Sequence, residues 1–135
     1  MLTAETKLRV RYAETDKMNF VYYGNYAQYY EIGRTEMLRH LGFTYKNLED
    51  KGIILPVLTL NTKYLKSASY DDLLTIKTTI KELPKVRIKF YYEIFNENNE
   101  LINSGDTTLV FVDTKKNKPV MVPDFFLKII SKYFK

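Results

Sequence analysis

Asp16 sits in an irregular stretch of mixed polarity, residues 13–24, that ends where a helical pattern begins at Asn25. That placement has chemical meaning. The first turn of a helix leaves backbone N–H groups without intrahelical acceptors and carries a partial positive charge. Such amides can polarise a carbonyl or hold an oxyanion, and a neighbouring carboxylate can attack that carbonyl or act as general base on water. The pair suits acyl chemistry. Side chains for most other chemistries are scarce: there is no cysteine and one histidine, His40. This excludes disulfides, thiolate metal sites, cysteine nucleophiles and multi-histidine metal sites, although a single histidine would suffice for a Ser-His-Asp triad. On residue type alone, a loop aspartate is more often a turn or capping residue than a catalytic one.

The elements that must position these groups follow from periodicity. Tyr26, Tyr29, Tyr30, Gly33, Met37 and Leu41 recur at spacings of three and four, which predicts a helix over residues 25–41. Asn25 is the expected N-cap, Gln28 its capping-box partner and Gly42 the stop. A short strand is expected over residues 8–12, with Leu8, Val10 and Tyr12 on one face. Four extended runs follow the helix. Residues 57–66 put Leu58, Leu60, Thr62 and Tyr64 on one side; Leu74, Ile76, Thr78 and Ile80 alternate with polar residues; so do Val86, Ile88, Phe90, Tyr92 and Ile94; residues 101–113 complete the set. Period-two alternation predicts an antiparallel sheet with one buried face. A final stripe of Phe125, Phe126, Ile129, Ile130, Tyr133 and Phe134 predicts a short helix capped by Asp124. The expected fold class is α+β: one long helix covered by an antiparallel sheet of about five strands, with a short C-terminal helix.

Length and composition bound the rest. A chain of 135 residues and 16.0 kDa predicts one domain, 1–135, large enough for a real core. No apolar run reaches the roughly 20 residues of a membrane span and no signal peptide is visible, so the expected location is cytoplasmic. The net charge of +5 is a mild excess, suited to a phosphate-bearing small molecule or a nucleic acid without demanding either. Twelve tyrosines and eight phenylalanines predict amphipathic walls for an interface or a pocket.

The run Tyr12-x-Glu14-Thr15-Asp16-x-Met18-x-x-Val21-Tyr22-Tyr23-x-Asn25-Tyr26, continued by Tyr30-Glu31-x-x-Arg34-x-Glu36, resembles the acyl-CoA thioesterases of the hotdog fold, in their 4-hydroxybenzoyl-CoA thioesterase-like branch. The lead-in Tyr70-x-Asp72-x-Leu74 and the run Gly105-Asp106-Thr107-Thr108 with Asp113 extend the resemblance over nearly the whole chain. It implies a hotdog, a sheet wrapped around one long helix, that hydrolyses acyl-CoA thioesters. It implies Asp16 as the catalytic aspartate, nucleophile or general base, and the backbone amide of Tyr23 as the group that polarises the thioester carbonyl. Tyr22, Gly24, Asn25 and Tyr26 would shape the surrounding site. Lys85 and Arg87 would meet the CoA phosphates, with Lys89 a weaker candidate. The resemblance also implies a site at a subunit interface of a homodimer or homotetramer, and no metal or organic cofactor. Two positions depart from the family pattern. Asn19 replaces a frequent glycine, and asparagine tolerates the same left-handed turn. Tyr23 replaces a frequent histidine, which costs little where only its amide acts.

Plainer roles are expected for several neighbours. Glu31 and Arg34, spaced i,i+3, read as a helix-surface pair. His40 reads as a dipole partner at the helix C-terminus. Tyr26, Tyr29 and Tyr30 read as core or interface, and the Lys-Arg-Lys alternation after residue 84 as a solvated sheet face. Three rival functions are weaker. A hotdog protein that binds acyl-CoA or an acyl-carrier thioester without turnover would use the same residues. A single-stranded nucleic-acid binder would need a clearer aromatic platform on its sheet. A hotdog dehydratase would need a histidine nearer the start of the helix. No nucleic acid and no stable membrane association are expected.

Overall fold

The structure, a computed structural model, describes residues 1–134. The predicted long helix is α1 (Tyr26–His40). It follows β1 (Leu2–Arg9) and precedes α2 (Tyr45–Asp50), β2 (Ile53–Ile54), β3 (Val57–Tyr64), β4 (Leu73–Ile80), β5 (Arg87–Phe95), β6 (Leu101–Val110), β7 (Val112–Asp113), β8 (Lys118–Pro119) and α3 (Asp124–Ile130). Five strands form one antiparallel sheet in the order β1-β4-β5-β6-β3, and β2, β7 and β8 form a small second sheet. The large sheet wraps α1, giving the hotdog arrangement.

Alternation in the strands and the 3.6-residue period of the helix supply the two apolar surfaces that meet. From β4, Leu74, Ile76 and Ile80 are buried; from β5, Ile88, Phe90, Tyr92 and Ile94. From α1 they meet Tyr26, Tyr29, Tyr30, Met37 and Leu38. Gly33 sets the closeness of approach. A Cβ there would fall 2.5 Å from Thr78 Oγ1 and 2.8 Å from Ile76 Cγ2. Two of the buried tyrosines, Tyr30 and Tyr92, have their hydroxyls satisfied internally. Tyr30 stacks on Tyr92 with ring centroids 4.2 Å apart. The Tyr30 hydroxyl bonds to Asn103 and Thr62, and the Tyr92 hydroxyl to Thr107.

Several expected boundaries move. The first strand is Leu2–Arg9, not residues 8–12, because its whole length pairs with β4, from Leu2 against Ile80 to Arg9 against Leu73. Tyr12 lies beyond it in a 3₁₀ turn and is exposed. Asn25 stands at the N-cap position of α1 but its side chain makes no capping bond. It has helical φ and ψ at the end of a 3₁₀ turn, Tyr23–Asn25, that runs into α1, and its side-chain Nδ2 donates to the Glu14 carbonyl at 2.8 Å. Gln28 is exposed and has no capping role. Gly42 does follow the helix, at φ 99°. The α2 turn and β2 carry too little periodicity to be read in advance. β3, an outer strand of the sheet, presents nearly all its residues to solvent, not one face. The run 101–113 breaks at Phe111 into β6 and β7. Pro123, not Asp124, precedes the first turn of α3, of which Phe126 and Ile130 are fully buried. Glu31 and Arg34 do not pair. Arg34 shares the buried side of α1 with Tyr30, one turn back, and donates to the hydroxyls of Tyr45 (2.8 Å) and Tyr92 (3.4 Å). Among the described residues, no helix is long and apolar enough to cross a membrane.

Candidate active site

Between β1 and α1 the chain folds into a small knot of turns. Asp16 N–H donates to the Phe20 carbonyl at 2.8 Å, and the Asp16 Oδ1 atom accepts from the amides of Met18 (2.9 Å) and Phe20 (3.2 Å). Asn19 closes this turn in the left-handed region, at φ 69°, as its tolerance of that backbone predicts. The carboxylate is therefore fixed through one oxygen. Its second oxygen, Oδ2, has no hydrogen-bond donor among the described residues. Asp16 is thus a turn residue whose remaining oxygen is available to another molecule.

The turn is docked on its surroundings by short bridges. Thr15 pairs with Val21 and Phe20 with Ser69, while the Val21 amide donates to Ala68 at 2.8 Å. The loop carrying Ser69 is braced by Asp72, whose Oδ2 accepts from the Ser69 amide at 2.8 Å. The Tyr70-x-Asp72 lead-in is therefore a support for the Asp16 turn.

The 3₁₀ turn Tyr23–Asn25 supplies the amides. Tyr22 N–H is taken by the Glu14 carbonyl and Asn25 N–H by the Tyr22 carbonyl, both at 2.9 Å, whereas the amides of Tyr23 and Gly24 have no acceptor among the described residues. They are the unpaired donors expected where a helix begins. Tyr22 packs on Tyr23 with ring centroids 4.7 Å apart, and a Cβ on Gly24 would fall 2.9 Å from the Tyr22 ring. Tyr26 is buried, set edge-on to Tyr64 at 5.4 Å. Burial, with Tyr64 and Asp72 nearby, pushes its hydroxyl up to about 12, so it stays protonated.

A cavity of about 320 Å³ lies between the Asp16 turn and Tyr23; Tyr22, Gly24 and Asn25, expected to shape the site, are not part of its lining. Asp16, Met18, Phe20, Tyr23 and Tyr26 line it with Tyr64 and Lys66. The Tyr64 hydroxyl donates to the Tyr23 carbonyl at 3.2 Å and so steadies the turn from β3. Met18, Phe20, Tyr64 and Lys66 were not among the expected site residues. Alternation placed Tyr64 on a strand face, but only folding brings that strand beside the Asp16 turn. Larger cavities exist, including one of about 470 Å³ against Arg34 and Tyr45, but it contains none of the expected site residues.

Lys85 and Arg87 lie elsewhere in this chain. They line a separate groove of about 440 Å³ with Glu82, Leu83 and Met121. Arg87 pairs with Val110 at the end of the sheet where β3 starts, whereas Tyr64, at the other end of β3, borders the Asp16 cavity. At about 3.3 Å per residue, the two ends of β3 are separated by roughly 23 Å. Among the described residues, no cluster of carboxylates and histidine suited to a metal ion occurs.

The Asp16 carboxylate and Tyr23 border one cavity, and the chain is similar to known thioesterases. The sequence profile of the Thioesterase-like superfamily matches residues 10–130. The chain is 35% identical over 116 residues to a protein of Escherichia coli O6:H1 named acyl-CoA thioester hydrolase, covering 86% of this chain and 87% of that one. It superposes on a DHNA-CoA thioesterase from Staphylococcus aureus with a TM-score of 0.91 and 39% identity, over 98% of this chain and 91% of that one. A 4-hydroxybenzoyl-CoA thioesterase, 21% identical, shares the fold with a TM-score of 0.83 over 94% of this chain and 97% of that one. With a matching profile over most of its length and a relative 35% identical across 86% of it, the chain belongs to the thioesterase-like superfamily.

Proposed function

We propose that this protein hydrolyses acyl-CoA thioesters at the Asp16 cavity, releasing CoA and a free acid. The observation that carries the reading is that one cavity is lined both by a carboxylate held through a single oxygen and by Tyr23, whose amide is unpaired at the helix start. The thioester carbonyl oxygen would lie against the Tyr23 amide, which develops its full strength as charge builds on that oxygen. Asp16 Oδ2 would attack the carbonyl carbon or take a proton from the attacking water. The proposal requires no metal and no organic cofactor.

Assembly belongs to the same reading. β3 is an outer strand with one free edge, on which Val57, Leu58, Leu60 and Tyr64 are each 42–50% exposed. The opposite outer strand, β1, instead exposes Thr3, Glu5, Lys7 and Arg9, a row that discourages pairing. Two chains joined antiparallel along β3 would place the Val57 end of one beside the Tyr64 end of the other. Lys85 and Arg87 would then approach the partner's Asp16 cavity and could meet the CoA phosphates. A homodimer, or a tetramer built from two, is the proposed active form.

The test is Asp16→Asn assayed with a panel of acyl-CoA substrates and a thiol reagent. Asparagine retains an oxygen for the Met18 and Phe20 amides, so folding should be unaffected, and loses only the anionic oxygen. We expect kcat to fall at least ~100-fold, the lower end of what a positioned base contributes, with acyl-CoA binding retained. Near-wild-type turnover in this variant would overturn the mechanism. Wild-type protein that binds acyl-CoA without releasing CoA would make it a binding protein.

A further inference from the structure

Glu14 has a position the proposed reaction does not explain. It is two residues from Asp16 and is 7% exposed, a rare state for a carboxylate. Its side chain collects four donors. Oε1 accepts from the Arg11 amide and from the Tyr29 hydroxyl, both at 2.9 Å. Oε2 accepts from Arg11 Nε at 3.0 Å and meets Arg11 Nη2 at 2.9 Å. Its backbone carbonyl takes the Tyr22 amide at 2.9 Å and Asn25 Nδ2 at 2.8 Å. One residue thus ties together the segment leaving β1, the turn that carries the Tyr23 amide, and the body of α1.

A cap for the Tyr12–Glu14 turn would need only the Arg11 contacts. The Tyr29 bond is of another kind. Tyr29 is 1% exposed and lies in the first turn of α1, so its hydroxyl is fixed by the core. Burial and the adjacent Glu14 carboxylate push that hydroxyl's ionisation up, keeping it a donor. Through it, the Asp16 turn is referred to the helix whose start supplies the unpaired amides.

We propose that Glu14 is a positioning residue for thioester hydrolysis, setting the spacing between the Asp16 carboxylate and the Tyr23 amide by clamping the loop to Tyr29 of α1. This rests on the assignment of Asp16 as the reacting carboxylate. A shift of about 1 Å in such a pair can cost on the order of 100-fold in rate, so a clamp of this kind should be visible in kcat. It should be nearly invisible in KM, because Glu14 is buried and lines no part of the cavity.

Three variants test the proposal on the full-length protein: Glu14→Ala, Tyr29→Phe and Asp16→Asn, each with thermal melting, kcat and KM for one acyl-CoA, and a pH–rate profile. Tyr29→Phe keeps the buried ring and removes only the anchoring hydroxyl. We expect Tyr29→Phe to fold, melting somewhat lower for the lost bond to a buried carboxylate, with kcat down several-fold, and Glu14→Ala to lose roughly 10- to 100-fold. In both, KM should stay within about 2-fold. The acid limb of the pH profile should not move, since the reacting carboxylate is untouched, while the plateau drops. If Glu14→Ala does not fold, Tyr29→Phe decides alone. Folded Tyr29→Phe at wild-type kcat overturns the proposal when Asp16→Asn is inactive. Loss of the acid limb in Glu14→Ala also overturns it, by making Glu14 the titrating base. An active Asp16→Asn sinks the catalytic assignment itself, a distinct result.

Discussion

Asp16 and Glu14 are two carboxylates in one short motif, and their environments separate their roles. Asp16 is partly exposed, with one oxygen bonded and one open; Glu14 is buried with both oxygens occupied. Burial pushes the Glu14 carboxyl up, but donation from the Arg11 amide, the Tyr29 hydroxyl and the Arg11 guanidinium outweighs it, leaving the group below its ordinary value of 4.5. Folding therefore favours the ionised form. The resulting stabilisation is complete above pH 4.5 and is lost as pH falls through the depressed folded value. Melting temperature measured from neutral pH down to the acid range should show this loss in the wild type. Glu14→Gln should have a lower plateau and a flatter acid slope. Parallel curves would mean that Glu14 contributes no proton-linked stability.

At the scale of elements, the site depends on how closely α1 can lie on β4. Gly33 is the contact. In an exposed helix, exchanging glycine for alanine stabilises by up to ~1 kcal/mol. Here the new methyl would fall well inside van der Waals distance of Thr78 and Ile76, and overpacking of that kind costs about 1–3 kcal/mol. The clash should win. We expect Gly33→Ala to unfold at lower urea concentration, with the m-value unchanged, and to lose activity as α1 lifts and carries the Tyr23 turn with it. A gain in stability would show that β4 gives way easily. The start of α1 is held by a different contact. Once Asn25 Nδ2 is bonded to the Glu14 carbonyl, the residue that sequence marks as a cap is serving a tertiary contact instead.

For the whole molecule, the decisive question is whether a site is built from one chain or two. Lys85 and Arg87 are about the length of β3 from the Asp16 cavity of their own chain. If they hold the CoA phosphates, exchanging both for alanine should raise KM far more than it lowers kcat. Mixing this double variant with Asp16→Asn then discriminates. Site sharing across β3 gives each mixed dimer one intact site, joining Asp16 of one chain to the basic pair of the other. Reannealed mixtures should recover kcat/KM at low substrate concentration. A site complete within one chain predicts no recovery. Sedimentation at assay concentration should show at least a dimer, and an active monomer would refute the shared site.

Sequence by itself determined what depends on local pattern. Tyr26, Tyr29, Tyr30 and Met37 are one face of a helix because 3.6-residue periodicity leaves no other way to bury them together. Ile76 and Ile80, or Ile88, Phe90 and Ile94, are one face of a strand for the same reason at period two. The Asp16 motif was legible through its resemblance to the thioesterase family; on residue type alone Asp16 reads as a turn residue, and its bonds to the Met18 and Phe20 amides make it one. Tertiary structure alone decided whatever depends on residues far apart in the chain. The strand order β1-β4-β5-β6-β3 carries Tyr64 and Lys66 to the Asp16 cavity and leaves Lys85 and Arg87 at the other end of the sheet. The full reach of β1 was hidden because its inward residues include Ala4 and Thr6, whose weak apolar signal becomes a strand only when β4 supplies the hydrogen bonds. Arg34 reads as a surface charge from its type and spacing. It is buried because the helix face chosen by its tyrosine neighbours turns inward, and Tyr45 and Tyr92 accept the hydrogen bonds that water would have provided.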